Sequence, residues 1–145
     1  MSEQHAIKVL LCDDHDGIRG LVRDFLADED DITVVSETAD VEGLFEALKE
    51  LEPDVVLLDC TLRGRSGLDA IEEARALSPG CQILMFSADD DPAYCRKAFG
   101  LGAHGYLLKE SAEQLPSAIR VVEAGGKYLD ARLHERVDIA IRHGA

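Results

Sequence analysis

Short aliphatic runs alternate along this chain with segments whose apolar residues recur at helical spacing, and few folds accept that alternation. Ile7–Cys12, Asp54–Leu58 and Cys81–Phe86 are nearly continuous apolar stretches, the signature of strands buried on both faces. Ile32–Ser36 and Gly105–Leu108 read as two further, shorter strands. Between the first two strands, Ile18, Leu21, Val22, Phe25 and Leu26 fall at i, i+3, i+4, i+7 and i+8, one face of a helix. Five such strand–helix units predict an α/β fold. It is a doubly wound, five-stranded parallel sheet of order 2-1-3-4-5, and a ligand crevice is expected at the ends of strands one and three.

The punctuation between these runs agrees. Asp40 is placed to cap a helix that turns Val41, Leu44, Phe45, Leu48 and Leu51 inward. Gly64-Arg65-Ser66-Gly67 is a loop, followed by a helix marked by Leu68, Ile71 and Ala74. Asp89-Asp90-Asp91-Pro92 has the form of a helix start, with acids at the positive end and proline in the first turn. Ser111-Ala112-Glu113-Gln114 has capping-box form ahead of Leu115, Ala118, Ile119 and Val122. Pro116 would cost that helix a hydrogen bond if the cap were Ser111, so an irregular first turn is expected. Residues 1–128 then form one domain. Residues 129–145 are expected to be a C-terminal helix or the remnant of a linker, with Leu133, Val137 and Ile141 at i, i+4 and i+8 from Ala131 to Arg142.

At 145 residues the chain is long enough for one domain with a real core, burying roughly 70% of its unfolded surface. No apolar run approaches the ~20 residues that span a bilayer, and Met1–His5 has no signal-peptide character. A net charge of −14 argues against direct binding of nucleic acid. Cys12, Cys60, Cys81 and Cys95 show no metal-like spacing and read as small core hydrophobes in a reducing, cytoplasmic setting.

The chemistry-bearing residues stand just past the strands. Asp13 and Asp14 follow the first, Asp59 the third, Ser87 the fourth and Lys109 the fifth. Parallel strands end on one rim, so these residues are expected to converge there. Three carboxylates would repel unless a cation neutralised them. An oxygen-only ligand set beside a phosphate-sized pocket suits Mg²⁺. Asp59 can then act as a carboxylate nucleophile toward phosphorus, with Lys109 and the Ser87 hydroxyl facing the phosphoryl oxygens. His15, beside the acidic pair, reads as a loop-to-helix contact rather than a ligand, and Arg63 and Arg65 as a solvated loop.

From about Ala6 to Tyr128 the chain resembles the receiver domain of two-component response regulators. The resemblance rests on Cys-Asp13-Asp14-His, Val-Val-Leu-Leu-Asp59, Phe-Ser87-Ala and Gly-Ala-His-Gly-Tyr106-Leu-Leu-Lys109. The last piece, with the Ala-Ile-Arg-Val-Val-Glu-Ala-Gly-Gly-Lys-Tyr that follows, looks like the NarL/FixJ subgroup. The resemblance implies a flavodoxin-like receiver fold. It implies that Asp59 accepts a phosphoryl group from a histidine kinase or phosphotransfer protein. Asp13, Asp14, Asp59 and the backbone carbonyl of Thr61 would hold Mg²⁺. Ser87 would be the switch hydroxyl, Tyr106 the switch aromatic and Lys109 the phosphate-binding lysine. The surface of the fourth helix, fifth strand and fifth helix would respond. Such a chain is a signalling component that catalyses only its own phosphorylation and dephosphorylation, and its apolar tail would suit a homodimer.

Two positions depart from the family pattern: Arg63 and Asp16 stand where proline is usual. The chain also stops near where NarL-like proteins continue into a helix-turn-helix domain, which suits either a stand-alone receiver or a piece of a longer protein. Three other readings compete with it. A degenerate receiver would act without phosphorylation, and the intact acidic set opposes it. A haloacid-dehalogenase-like phosphatase needs a second Asp two residues past the nucleophile, where Thr61 stands. A flavodoxin-like cofactor binder needs a phosphate loop of small residues with free amides, not Asp-Asp-His-Asp.

Overall fold

The computed structural model describes residues 6–134. Its elements alternate as the sequence predicts: β1 Ile7–Cys12, α1 Asp16–Leu26, β2 Ile32–Thr38, α2 Val41–Leu51, β3 Val55–Leu58, α3 Leu68–Leu77, β4 Gln82–Ser87, α4 Pro92–Leu101, β5 Gly105–Leu108, α5 Leu115–Glu123 and β6 Tyr128–Leu129. A two-residue-per-arm hairpin, Thr61–Leu62 against Arg65–Ser66, fills the link from β3 to α3. The sheet runs β2-β1-β3-β4-β5-β6, and every pairing in it is parallel. The expected five-strand order therefore holds and gains one edge strand. Tyr128–Leu129 is too short for a strand signal in sequence, and its pairing with Gly105 and Tyr106 is what makes it a strand.

Strand alternation sorts the core into two layers. Val9 and Leu11 of β1 face the layer that holds Val22 and Leu26 of α1 and Leu115, Ala118, Ile119 and Val122 of α5. Leu10 and Cys12 face the layer of α2, α3 and α4. Each fully buried aliphatic side chain contributes about 1.5–3 kcal/mol before entropy is subtracted, so the buried central strands anchor the fold. The apolar stripes are narrower than their sequence spacing implies. The helical spacing turns Leu51 inward on α2, but it sits at the helix end, 36% exposed, while Ala47 is buried instead. Leu21 and Phe25 of α1 also lie at the edge of their stripe, exposed, beside the buried Val22 and Leu26.

The caps follow local chemistry. Asp40 accepts a hydrogen bond from the Gly43 amide at 2.7 Å, and Asp91 from the Ala93 amide at 2.9 Å. His15 caps α1 through Nδ1, which accepts from the Ile18 amide. Ser111 makes no capping box. It has non-helical angles within a 3₁₀ segment, Lys109–Gln114, and α5 begins only at Leu115. That later start places Pro116 in the first turn, where its missing N–H is not needed. Past β6, a single 3₁₀ turn covers Ala131–Leu133, and Leu133 is wholly buried against the body. The rest of the expected tail helix, with Val137 and Ile141, lies outside the described residues. Among the described residues no helix is long and apolar enough to cross a membrane.

Candidate functional site

Parallel register brings the expected residues together. Cys12 pairs with Leu58, so Asp13 and Asp59 leave adjacent strand ends. The Asp59 amide donates to the Cys12 carbonyl at 3.1 Å, and the Asp13 amide to Thr38 at 3.0 Å, which fixes both backbones at the rim. Ser87 closes β4 opposite Leu108, and Lys109 is the next residue after β5. Lys109 Nζ lies 2.9 Å from Asp13 Oδ2 and 3.1 Å from Asp59 Oδ2. Ligand oxygens of Asp13, Asp14 and Asp59 all lie within 4.8 Å of one another.

Burial sets the electrostatics. Asp13 and Asp59 are buried, while Asp14 is exposed. Burial lifts the Asp59 carboxyl above the ordinary range. Lys109 and the Thr61 amide pull it down, and the Asp13 charge pushes it up again. Burial alone would lower Lys109, but its bonds and charge contacts with Asp13 and Asp59 outweigh that and hold the ammonium above its ordinary value. Asp13 Oδ2 is buried, and the Lys109 ammonium 2.9 Å away is shared with Asp59. Two buried carboxylates that share one ammonium, in an all-oxygen cluster with an exposed third member, fit a hard divalent cation such as Mg²⁺.

Ser87 and Tyr106 lie behind this cluster. Ser87 Oγ accepts from the Asp89 amide at 2.9 Å. Tyr106 is fully buried; its hydroxyl donates to the Asp89 carbonyl at 2.7 Å and lies 3.7 Å from Cys60 Sγ. Burial, reinforced by the Cys60 charge, raises the Tyr106 phenol far above its usual range against a hydrogen bond with Ser87. Thr61 sits at the start of the hairpin, its amide turned to Asp59. All four cysteines are free and buried. Burial raises each thiol, and pushes Cys12, Cys81 and Cys95 up to about 12, which makes them poor nucleophiles.

Three contacts were not expected from sequence. The Arg63 amide donates to Asp14 Oδ2 at 2.7 Å. Arg63 and Gly64 both have positive φ, 49° and 82°, at the tip of the hairpin, where a two-residue turn favours left-handed backbone. Proline could neither adopt that φ nor donate. Gly67 brings the return arm against the site: a Cβ there would meet the Asp59 carbonyl oxygen at 2.0 Å, and its amide bonds the Cys60 carbonyl at 2.7 Å. The third is Asp130, buried beneath β5. Turn residues such as Arg63-Gly64 do carry a hairpin signal, but nothing local marks Gly67 or Asp130.

Residues 9–120 match the family model of the response regulator receiver domain. The chain belongs to the response regulator receiver family. This receiver is 34% identical over 137 residues to the transcriptional regulatory protein DegU of Brevibacillus brevis, which covers 92% of this chain and 58% of that protein. It is 35% identical over 134 residues to the nitrate/nitrite response regulator protein NarL of Escherichia coli K12, covering 92% of this chain and 62% of the relative. The receiver therefore spans roughly three-fifths of the length of those relatives. Among solved structures, a LuxR-family two-component response regulator from Aurantimonas sp. SI85-9A1 superposes with a TM-score of 0.89 at 28% identity, over 94% of this chain and 99% of that one. These relatives place the receiver in the NarL/FixJ-like subgroup that its last strand and helix resemble.

Proposed function

We propose that this receiver takes a phosphoryl group onto Asp59, in a Mg²⁺-dependent transfer from the phosphohistidine of a sensor kinase or phosphotransfer protein. The observation that carries the reading is the arrangement around Asp59: a buried carboxylate, 3.1 Å from Lys109 and grouped with Asp13 and Asp14. An Asp59 oxygen forms the bond to phosphorus as the histidine nitrogen–phosphorus bond breaks, and the electron pair leaves with the imidazole nitrogen. Asp13, Asp14, Asp59 and the Thr61 carbonyl would hold Mg²⁺, which when bound supplies positive charge beside the transferring group.

The chain's own residues do the rest. Lys109 is already held at the rim by two carboxylates, so a short turn of its side chain brings the ammonium to a phosphoryl oxygen, where fixed positive charge stabilises the transfer. Ser87 has a hydroxyl proton to donate once a phosphoryl oxygen arrives. Its hydrogen bond to the Asp89 amide and its contact with Tyr106 link that event to the loop before α4. New charge-assisted bonds then bias two arrangements of the α4–β5–α5 surface.

Incubation with acetyl phosphate and Mg²⁺ tests the reading. Mass spectrometry should show one added phosphoryl group in the wild type and none in Asp59→Asn. Uptake by the variant at the wild-type rate would overturn the assignment of Asp59.

A further inference from the structure

Asp130 is a fully buried carboxylate outside the acidic cluster, and both of its oxygens are engaged by backbone amides. Oδ2 accepts from the Leu108 amide at 3.0 Å, and Oδ1 from the Arg132 amide at 2.9 Å. Its own amide donates to the Tyr106 carbonyl at 2.9 Å, and its carbonyl accepts from the Leu133 amide at 2.9 Å. Leu108 is the residue before Lys109 and ends β5. Asp130 thus grips β5 at Tyr106 and at Leu108. It holds the first turn beyond β6 with the same carboxylate, and Leu133 packs in the cluster that contains Tyr106 and Leu108.

The choice of side chain is informative. Burying a carboxylate is costly unless donors surround it, and a cap alone needs one acceptor, which asparagine or serine supplies. Here the two amides reach two different oxygens, and an asparagine would turn its NH₂, a donor, toward one of them. The Leu108 amide lies past the last pairing of the two strands, Tyr106 with Leu129, so β6 supplies it no backbone partner. Asp130 extends the grip of the sheet to the residue next to Lys109.

We propose that Asp130 is a positioning residue for Lys109, and that through it residues 131–134 respond to what Lys109 holds. The inference rests on the phosphoacceptor reading of the site. When Lys109 turns from Asp13 and Asp59 toward a phosphoryl oxygen, the Leu108 peptide is the nearest backbone to feel it. Any shift there is passed to the Arg132 amide through one carboxylate group.

The full chain tests this by amide hydrogen exchange, with and without beryllofluoride and Mg²⁺ as a phosphoryl mimic, alongside rates of uptake from acetyl phosphate. In the wild type, the mimic should slow exchange at Leu108, Arg132 and Leu133 together. Asp130→Asn should speed exchange at Leu108 by about tenfold, as expected for one lost hydrogen bond. It should also slow phosphoryl uptake severalfold and abolish the response of Arg132 and Leu133. Leu133→Ala, which loosens the same turn without touching the carboxylate, should leave uptake unchanged. If Asp130→Asn lowers only the melting temperature and takes up phosphate at the wild-type rate, the inference fails while the phosphoacceptor reading stands. If the wild type binds no beryllofluoride and takes up no phosphate, both fail.

Discussion

Lys109 and Arg120 each meet two carboxylates, and the two clusters differ in burial. At the strand ends, Lys109 meets Asp13 and Asp59, with side-chain exposures of 17%, 2% and 10%. On the surface, Arg120 of α5 meets Glu29 and Asp31 in the loop before β2, and the Arg120 side chain is 41% exposed. Arg120 forms a two-pronged hydrogen bond to Asp31, at 2.8 and 2.7 Å, and a further one to Glu29. The shifts in acidity diverge accordingly. The hydrogen bond from Arg120 holds the Asp31 carboxyl below its ordinary range, while burial holds Asp59 above it despite Lys109. One cluster is satisfied by its own members. The other has more carboxylate than cation, and under the proposed function a divalent cation would make up that deficit before a phosphoryl group arrives.

The largest break in this comparison should come from Lys109→Ala. Removing one partner from a buried ion pair leaves the remaining charges without compensation and typically costs about 3–5 kcal/mol. The partial exposure of Lys109 places this site at roughly the lower end of that range. Urea unfolding at neutral pH should show the loss. Mg²⁺ should restore more stability to the variant than it adds to the wild type, because Asp13 Oδ2 and Asp59 then lack the ammonium that pairs with both. A variant as stable as the wild type would mean that Lys109 carries no such charge balance. Phosphoryl uptake should fall as well.

Asp59→Asn should act in the opposite direction on stability. The folded-state pKa of Asp59 is raised, so its ionisable group favours the folded state below its unfolded value of about 3.9 and loses that contribution as pH rises through the folded value. At neutral pH the buried charge is therefore a net cost, and its removal should raise the melting temperature, with the difference shrinking as pH falls. Acid sensitivity should remain in the variant. His104 accepts a hydrogen bond from the Ile83 amide through Nδ1, and burial, helped by Lys127 and Arg75, lowers its pKa. Its contribution is complete above the unfolded value of about 6.5 and is lost as pH falls through the lowered folded value. A variant melting below the wild type at pH 7 would contradict this account of Asp59.

The same contrast explains what could be read from sequence. Asp13, Asp59, Ser87 and Lys109 announce themselves because each follows an apolar run, and parallel strands carry local signals to one rim. The five long strands and the order of the sheet follow from the same runs. Tyr128–Leu129 leaves no sequence signal because two residues have no periodicity; the strand exists through its pairing with Gly105 and Tyr106. Ser111 had the right spacing for a capping box, but Lys109–Gln114 took a 3₁₀ path and left Pro116 near the helix start. Gly67 and the Arg63 amide matter through approaches to Asp59 and Asp14 from another strand end. Arg120 finds Asp31 across 89 positions of sequence. None of these leaves a pattern within a helical turn or a strand.

Arg120→Ala is the smallest expected effect and the sharpest control. It removes a cation from a cluster that water already screens, so phosphoryl uptake should stay at the wild-type rate and the fold should lose little stability. What is lost should shrink with added salt, because exposed ion pairs are screened over a Debye length of about 8 Å at physiological ionic strength. The pH signature has its own sign. The lowered folded-state pKa of Asp31 contributes stability above its unfolded value, and that contribution is lost as pH falls through the folded value. That acidic component should disappear in the variant, while the component from His104 persists. Thermal melts across pH and salt separate the two. A salt-independent loss, or a change in uptake, would mean that Arg120 braces α5 against the β1 side of the sheet strongly enough to reach Asp59, and the division into a screened cluster and a reactive one would no longer hold.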